Sequence, residues 1–113
     1  MDYNDVLSEM GVIIDKIDIL IAKLEDMKED IIKKEFENIN HELKNIINKL
    51  EMIIDSMDNS NEKKMLEYTK NSIEKIRNDL GNETHLSIIV DSLNDEQSSL
   101  IDIKAKISMN EHL

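Results

Sequence analysis

From Val6 onward the apolar residues fall at alternating steps of four and three without a miss: Val6, Met10, Ile13, Ile17, Leu20, Leu24, Met27 and Ile31. That spacing places one greasy stripe along a helix, the seam of coiled-coil-like packing. Leu7, Ile14 and Ile21 lie beside the stripe and widen it enough for a bundle core. A second seam follows the same rule through Ile32, Phe36, Ile39, Leu43, Ile46, Leu50, Ile53 and Met57. Ile31 and Ile32 are adjacent, so the two seams are out of phase by one residue. A single helix through both would run roughly 75–80 Å, more than the remaining chain can cover. The phase slip therefore predicts a break near KEDIIKK at 28–34.

Nothing else in the chain breaks helices often. There is no Pro, and the glycines are Gly11 and Gly81. DNSN at 58–61 reads as a loop, with Ser60 or Asn61 as the N-cap of the next helix. That helix turns Met65, Thr69, Ile73, Ile76 and Leu80 inward and ends at Gly81, which suits a left-handed C-terminal position. Asn82 or Thr84 caps a last segment carrying Leu86, Ile89, Val90, Leu93, Leu100, Ile103 and Ile107. Asn94 and Gln97 form a capping-box pattern that would split this segment. No stretch alternates long enough to make a strand. The expectation is one all-α domain over 1–113: an antiparallel helical bundle of three to five helices, as a monomer or a dimer.

Charge narrows the partners. Twenty-five acidic residues against fourteen basic ones leave a net charge of -11. This opposes binding to nucleic acid and to anionic lipid, and favours basic or apolar protein partners. No apolar run is long enough to span a bilayer. The N-terminal MDYNDVLSEM has neither the basic start nor the apolar core of a signal peptide, so a cytoplasmic address is expected. Without Cys there is no disulfide framework or thiolate zinc site. His41, His85 and His112 have no metal-ligand spacing, and DSMDNSNEKKML lacks the Gly and terminal Glu of a calcium loop. No metal or other cofactor is expected. No Ser has a His partner at a recognisable spacing, so hydrolase chemistry is unsupported.

The second seam places His41 opposite the core, on the outermost face of its helix, where an imidazole is free to react and where any polar residue would also fall. The stretch NINHELKN resembles the phosphoacceptor box of sensor histidine kinase dimerisation and phosphotransfer domains, a likeness covering about 30–80. Ile39, Glu42, Lys44 and Asn45 stand at the box positions around His41, Ile46 stands where such boxes have proline, and the following helix ends in NDL at 78–80. The resemblance implies that His41 accepts a phosphoryl group, Glu42 takes its proton and Asn45 orients the water that removes phosphate.

KKEFENINHELKNIINKLEMI at 33–53 is also similar to the second helix of small flagellar export chaperones, a likeness covering about 1–58. In that family the first helix ends in a charged turn and the second restarts near a Phe, here Phe36. It implies a non-catalytic cytoplasmic chaperone or adaptor that holds a partner's amphipathic helix. Ile14, Ile21, Ile47 and Ile54 flank the seams and are the expected partner-binding residues, to be covered by that helix or by a second copy. Protein binding is thus the first reading, and phosphotransfer through His41, Glu42 and Asn45 the alternative.

Overall fold

The computed structural model describes residues 3–26, 33–80 and 86–110. They form four helices: α1 (Tyr3–Asp26), α2 (Lys33–Ser56), α3 (Asn61–Leu80) and α4 (Leu86–Asn110). The architecture is the expected all-α bundle, with four helices. The 24 residues of α1 and of α2 each make a rod of roughly 36 Å. The phase slip between the seams is resolved by two separate helices. The connecting residues, and the proposed caps at Gly81, Asn82 and Thr84, lie outside the described residues.

Cross-helix bonds fix the order and direction of the rods. Lys49 of α2 reaches Glu9 of α1, and Arg77 Nε of α3 donates to Asn40 Oδ1 of α2 at 2.7 Å. Gln97 of α4 donates to the Ile14 carbonyl of α1 at 3.2 Å. In each pair, early residues of one helix meet late residues of the other or their middles meet, as an up-down-up-down bundle requires. α1 lies between α2 and α4, and α3 is its diagonal. The molecule is elongated, 51 × 20 × 18 Å.

The core follows the seams. Met10, Ile13 and Ile17 of α1 and Leu43, Ile46, Leu50 and Ile53 of α2 are sealed from solvent. In α3 the buried line is Leu66, Thr69, Ile73, Ile76 and Leu80. This corrects the expected inward position of Met65, which packs half-buried at the core edge. Leu66 continues the three-four alternation that Thr69 and Ile73 set, and Met65 does not.

The α2–α3 turn behaves as its residues dictate. The Lys63 N–H donates to Ser60 Oγ at 3.2 Å, and the Lys64 N–H to the Ser60 carbonyl at 3.3 Å. Ser60 is the N-cap, satisfying one of the donors left over at a helix start. On the other side, Ser56 Oγ donates to the Ile53 carbonyl and Lys63 Nζ to that of Met57, which closes the end of α2.

The expected split at Asn94 does not occur, and α4 is continuous. Leu93 and Leu100 are fully buried on either side of the polar stretch and hold it in register. Between them Glu96 takes the seam position, and Gln97 is bonded to α1 through the Ile14 carbonyl and Asp18 Oδ1. With tertiary partners available, the local capping preference loses to packing.

Candidate functional face

The four isoleucines expected to line a partner groove are committed to the chain's own core. Ile21 is 7 % exposed, Ile47 4 % and Ile54 6 %, and Ile14 is half-buried against the same cluster. The spare width of the first two seams is filled by α3 and α4. A two-helix contact would leave those residues bare, but in a four-helix bundle each rod touches two neighbours and needs a stripe wide enough for both. This corrects the expected docking role of Ile21, Ile47 and Ile54, which are sealed in the core of this fold, while Ile14 stays half-buried at its edge.

A different set faces outward. Val12 is 39 % exposed, Ile19 55 % and Met52 62 %. Val12 and Ile19 are seven residues apart and share one stripe of α1; Met52 and His41 are eleven apart and share one stripe of α2. The two stripes flank the same groove. Glu9 and Lys49 bridge it at 3.2 Å, and Val12 and Met52 each lie three residues beyond a bridge residue. Lower down, Leu20 and Lys23 of α1 meet Asn38, Ile39, His41 and Glu42 of α2 around an open cleft of about 200 Å³. α1 and α2 share the slimmest contact of the four adjacent pairs.

His41 is exposed on the rim of this cleft, as its place opposite the seam requires. Glu42 and Asn45 are half-buried beside it. Lys23 is the neighbour that sequence reasoning missed. It sits on another helix, eighteen residues away, and only the antiparallel pairing of α1 and α2 brings it to His41. Val12 and Ile19 had a sequence signal, apolar residues off the seam at heptad spacing, whereas Met52 stands alone on its stripe.

The other grooves differ in chemistry. Between α2 and α3, a cleft of about 530 Å³ is lined by Glu51, Ile54, Asp55, Glu67, Lys70 and Asn71, with Lys70 paired to Glu51 at 3.3 Å. Between α3 and α4, Tyr68 overhangs a cleft of about 200 Å³ beside Asp102 and Lys106. Deeper between these helices, burial together with the nearby Asp95 raises Glu96 above the ordinary carboxylate value, against a hydrogen bond with Ser72 that lowers it. Among the described residues, no cluster of three or more His, Asp or Glu is placed to hold a metal ion, and no helix is long and apolar enough to cross a membrane. His85 and His112 lie outside the described residues.

Charge is unevenly shared. α1 carries six acidic residues against two lysines, whereas α3 carries four against five basic residues. The acidic rod therefore lies diagonally across the bundle from the mildly basic one. Compared with known proteins, the chain matches no family model, no curated protein and no solved structure, so what the α1–α2 face can do follows from its own residues.

Proposed function

We propose that this chain is a non-catalytic protein-binding bundle, a cytoplasmic chaperone or adaptor that holds an amphipathic helix of another protein. The observation that carries the reading is the exposure of Val12, Ile19 and Met52 around one groove, on a molecule whose core is already filled. Isolated apolar residues on a surface need no explanation, but several sharing a groove favour an apolar ligand surface. The test is purification of the tagged full chain from cells that make it, with the stoichiometry of anything retained measured. One protein held near equimolar amounts supports the reading. Recovery of the chain alone refutes it.

A second reading rests on His41. Its exposed imidazole shares a cleft with Lys23, whose ammonium would offset the charge of a phosphoryl group, and with Glu42, a proton acceptor. In this reading the phosphoryl group leaves an aspartyl phosphate of a receiver domain, bonds to an imidazole nitrogen of His41, and the displaced ring proton passes to Glu42. Incubation with a phosphorylated receiver domain, or with acetyl phosphate, would then give acid-labile phosphate on the chain. No label, or label that persists in His41→Gln, removes this reading.

A further inference from the structure

The geometry points to the lower α1–α2 cleft as a reversible binding site for a small oxyanion that still carries a proton, inorganic hydrogen phosphate. The inference rests on the His41 reading for the place of the ligand, and it needs no bond to the imidazole. Of the three clefts described above, this one is the most enclosed. Its floor is apolar: Leu20 of α1 and Ile39 of α2 are each 2 % exposed. Its rim carries Lys23 from one helix and Asn38 and His41 from the other, all of them exposed. They supply an ammonium, an amide NH2 and a ring N–H, the last in either protonation state of the imidazole. Among the described residues, none of the three is engaged in an ion pair or a hydrogen bond. Three donor groups from two rods, set over an apolar floor, suit a ligand that accepts hydrogen bonds on several oxygens at once.

Glu42 selects among oxyanions. It is half-buried in the same cleft, and an ionised carboxylate only accepts hydrogen bonds. It therefore repels an anion with no proton and bonds one that has an O–H to give. Inorganic phosphate keeps a P–OH at neutral pH. Sulfate has none, and a phosphate monoester loses its last one above about pH 6. The charge of the cleft agrees. Glu9 and Lys49 of the same face are paired with each other, which leaves Lys23 against Glu42, with His41 neutral or positive. The rim is thus neutral to positive on a chain of net charge -11. Charges more than about 8 Å away are screened at physiological ionic strength, so a small ion answers to the rim, whereas a polyanion meets the whole chain. The rival place is α3, with five basic residues against four acidic, but the clefts along it are lined by Glu51, Asp55 and Glu67 on one side and by Asp102 on the other.

The experiment titrates the full isotope-labelled chain with sodium phosphate at pH 7 and fixed ionic strength, and repeats the titration with sodium sulfate and with phenyl phosphate. Phosphate should shift the amide resonances around Lys23, Asn38 and His41 and saturate in roughly the millimolar range, as a few charge-assisted hydrogen bonds on an open rim allow. Sulfate and phenyl phosphate should bind about tenfold more weakly. Lys23→Met should weaken phosphate binding about tenfold, the loss of one hydrogen bond to a charged group. Glu42→Gln should let sulfate bind as well as phosphate does. An unchanged circular dichroism spectrum checks that both variants fold, and the comparison of anions on the parent chain needs neither of them. No saturable shift overturns the site. A footprint on Lys63 and Lys64 of α3 overturns its location. Sulfate bound by the parent as tightly as phosphate overturns the assigned ligand. The phosphotransfer reading fails separately. Acid-labile label on His41 of a chain that binds no free phosphate sinks this inference and leaves transfer standing, whereas saturable phosphate binding without any label from acetyl phosphate supports the inference and removes transfer.

Discussion

Glu96 is the residue at which the bundle departs from its own rule. The seam of α4 runs Ile89, Leu93, Leu100, Ile103, and the missing step between Leu93 and Leu100 is an acid. Burial and the neighbouring Asp95 raise its pKa, and Ser72 of α3 gives it a hydrogen-bond partner. The sign of the consequence follows from linkage. A carboxyl that binds its proton more tightly when folded adds stability that is fully present below its unfolded pKa and is lost as pH rises through its folded pKa. At neutral pH Glu96 is therefore a charge held in a partly desolvated seam. Replacing it with Gln keeps the shape and removes the charge. Thermal melts should show Glu96→Gln more stable than the parent at pH 7, with the gap closing near pH 4. A gap that persists unchanged at pH 4 would show that the charge is not its source. Gly11 is the second such residue. It stands mid-helix in α1, where glycine costs backbone entropy, and a methyl group added there meets only the tip of Lys104, with Nζ at 3.2 Å. A flexible lysine end can swing aside, so the helix-propensity gain should win. Gly11→Ala is expected to raise the unfolding free energy by about 0.5–1 kcal/mol. A loss in urea titration would mean that Lys104 is held in place.

At the scale of the element, α2 shows why a wide stripe is ambiguous before the neighbours are known. Ile47 and Ile54 lie to one side of the seam, and from the sequence they were candidates for a partner's groove. In the bundle they face α3, and substitution there acts on folding. Ile47→Lys should destabilise much as Leu50→Lys does, because each buries a charge with no partner. The cost is about 3–5 kcal/mol, a large share of the stability of a domain this size. Loss of the urea transition by far-ultraviolet circular dichroism in both variants is the expected outcome; a well-folded Ile47→Lys would reopen the docking role. The helices themselves were legible, since unbroken three-four spacing leaves few alternatives. The break between α1 and α2 was legible from the adjacency of Ile31 and Ile32, and the start of α3 from Ser60. The continuity of α4 was not. Asn94 and Gln97 do make a local start signal, and what overrides it is contact with Asp18 and the Ile14 carbonyl, eighty or so positions away. The face around His41 was half legible. Helical phase puts the imidazole outside, but Lys23 joins it only through pairing of α1 with α2.

For the whole molecule the governing quantity is charge. The chain holds 25 acidic residues and 14 basic ones. The ion pairs that tie helices together, Glu9–Lys49 and Glu51–Lys70, are spaced at 3.2 and 3.3 Å and stay in reach of solvent, so each adds little. Repulsion among the surplus carboxylates acts over longer distances and is spread along four parallel axes, with α1 the most crowded. Added salt weakens both effects. It screens exposed pairs such as these, and it also screens a net charge of -11. The second effect is the larger, because the Glu9–Lys49 and Glu51–Lys70 pairs are solvent-accessible while the repulsion involves the whole surface. Tm should therefore rise by a few degrees between about 20 mM and about 0.5 M sodium chloride, where the Debye length falls well below the width of the bundle. Chloride and fluoride salts should act alike, since screening depends on ionic strength and not on a bound ion. A Tm that falls with salt would show that attraction between helices, and not repulsion, dominates the electrostatics.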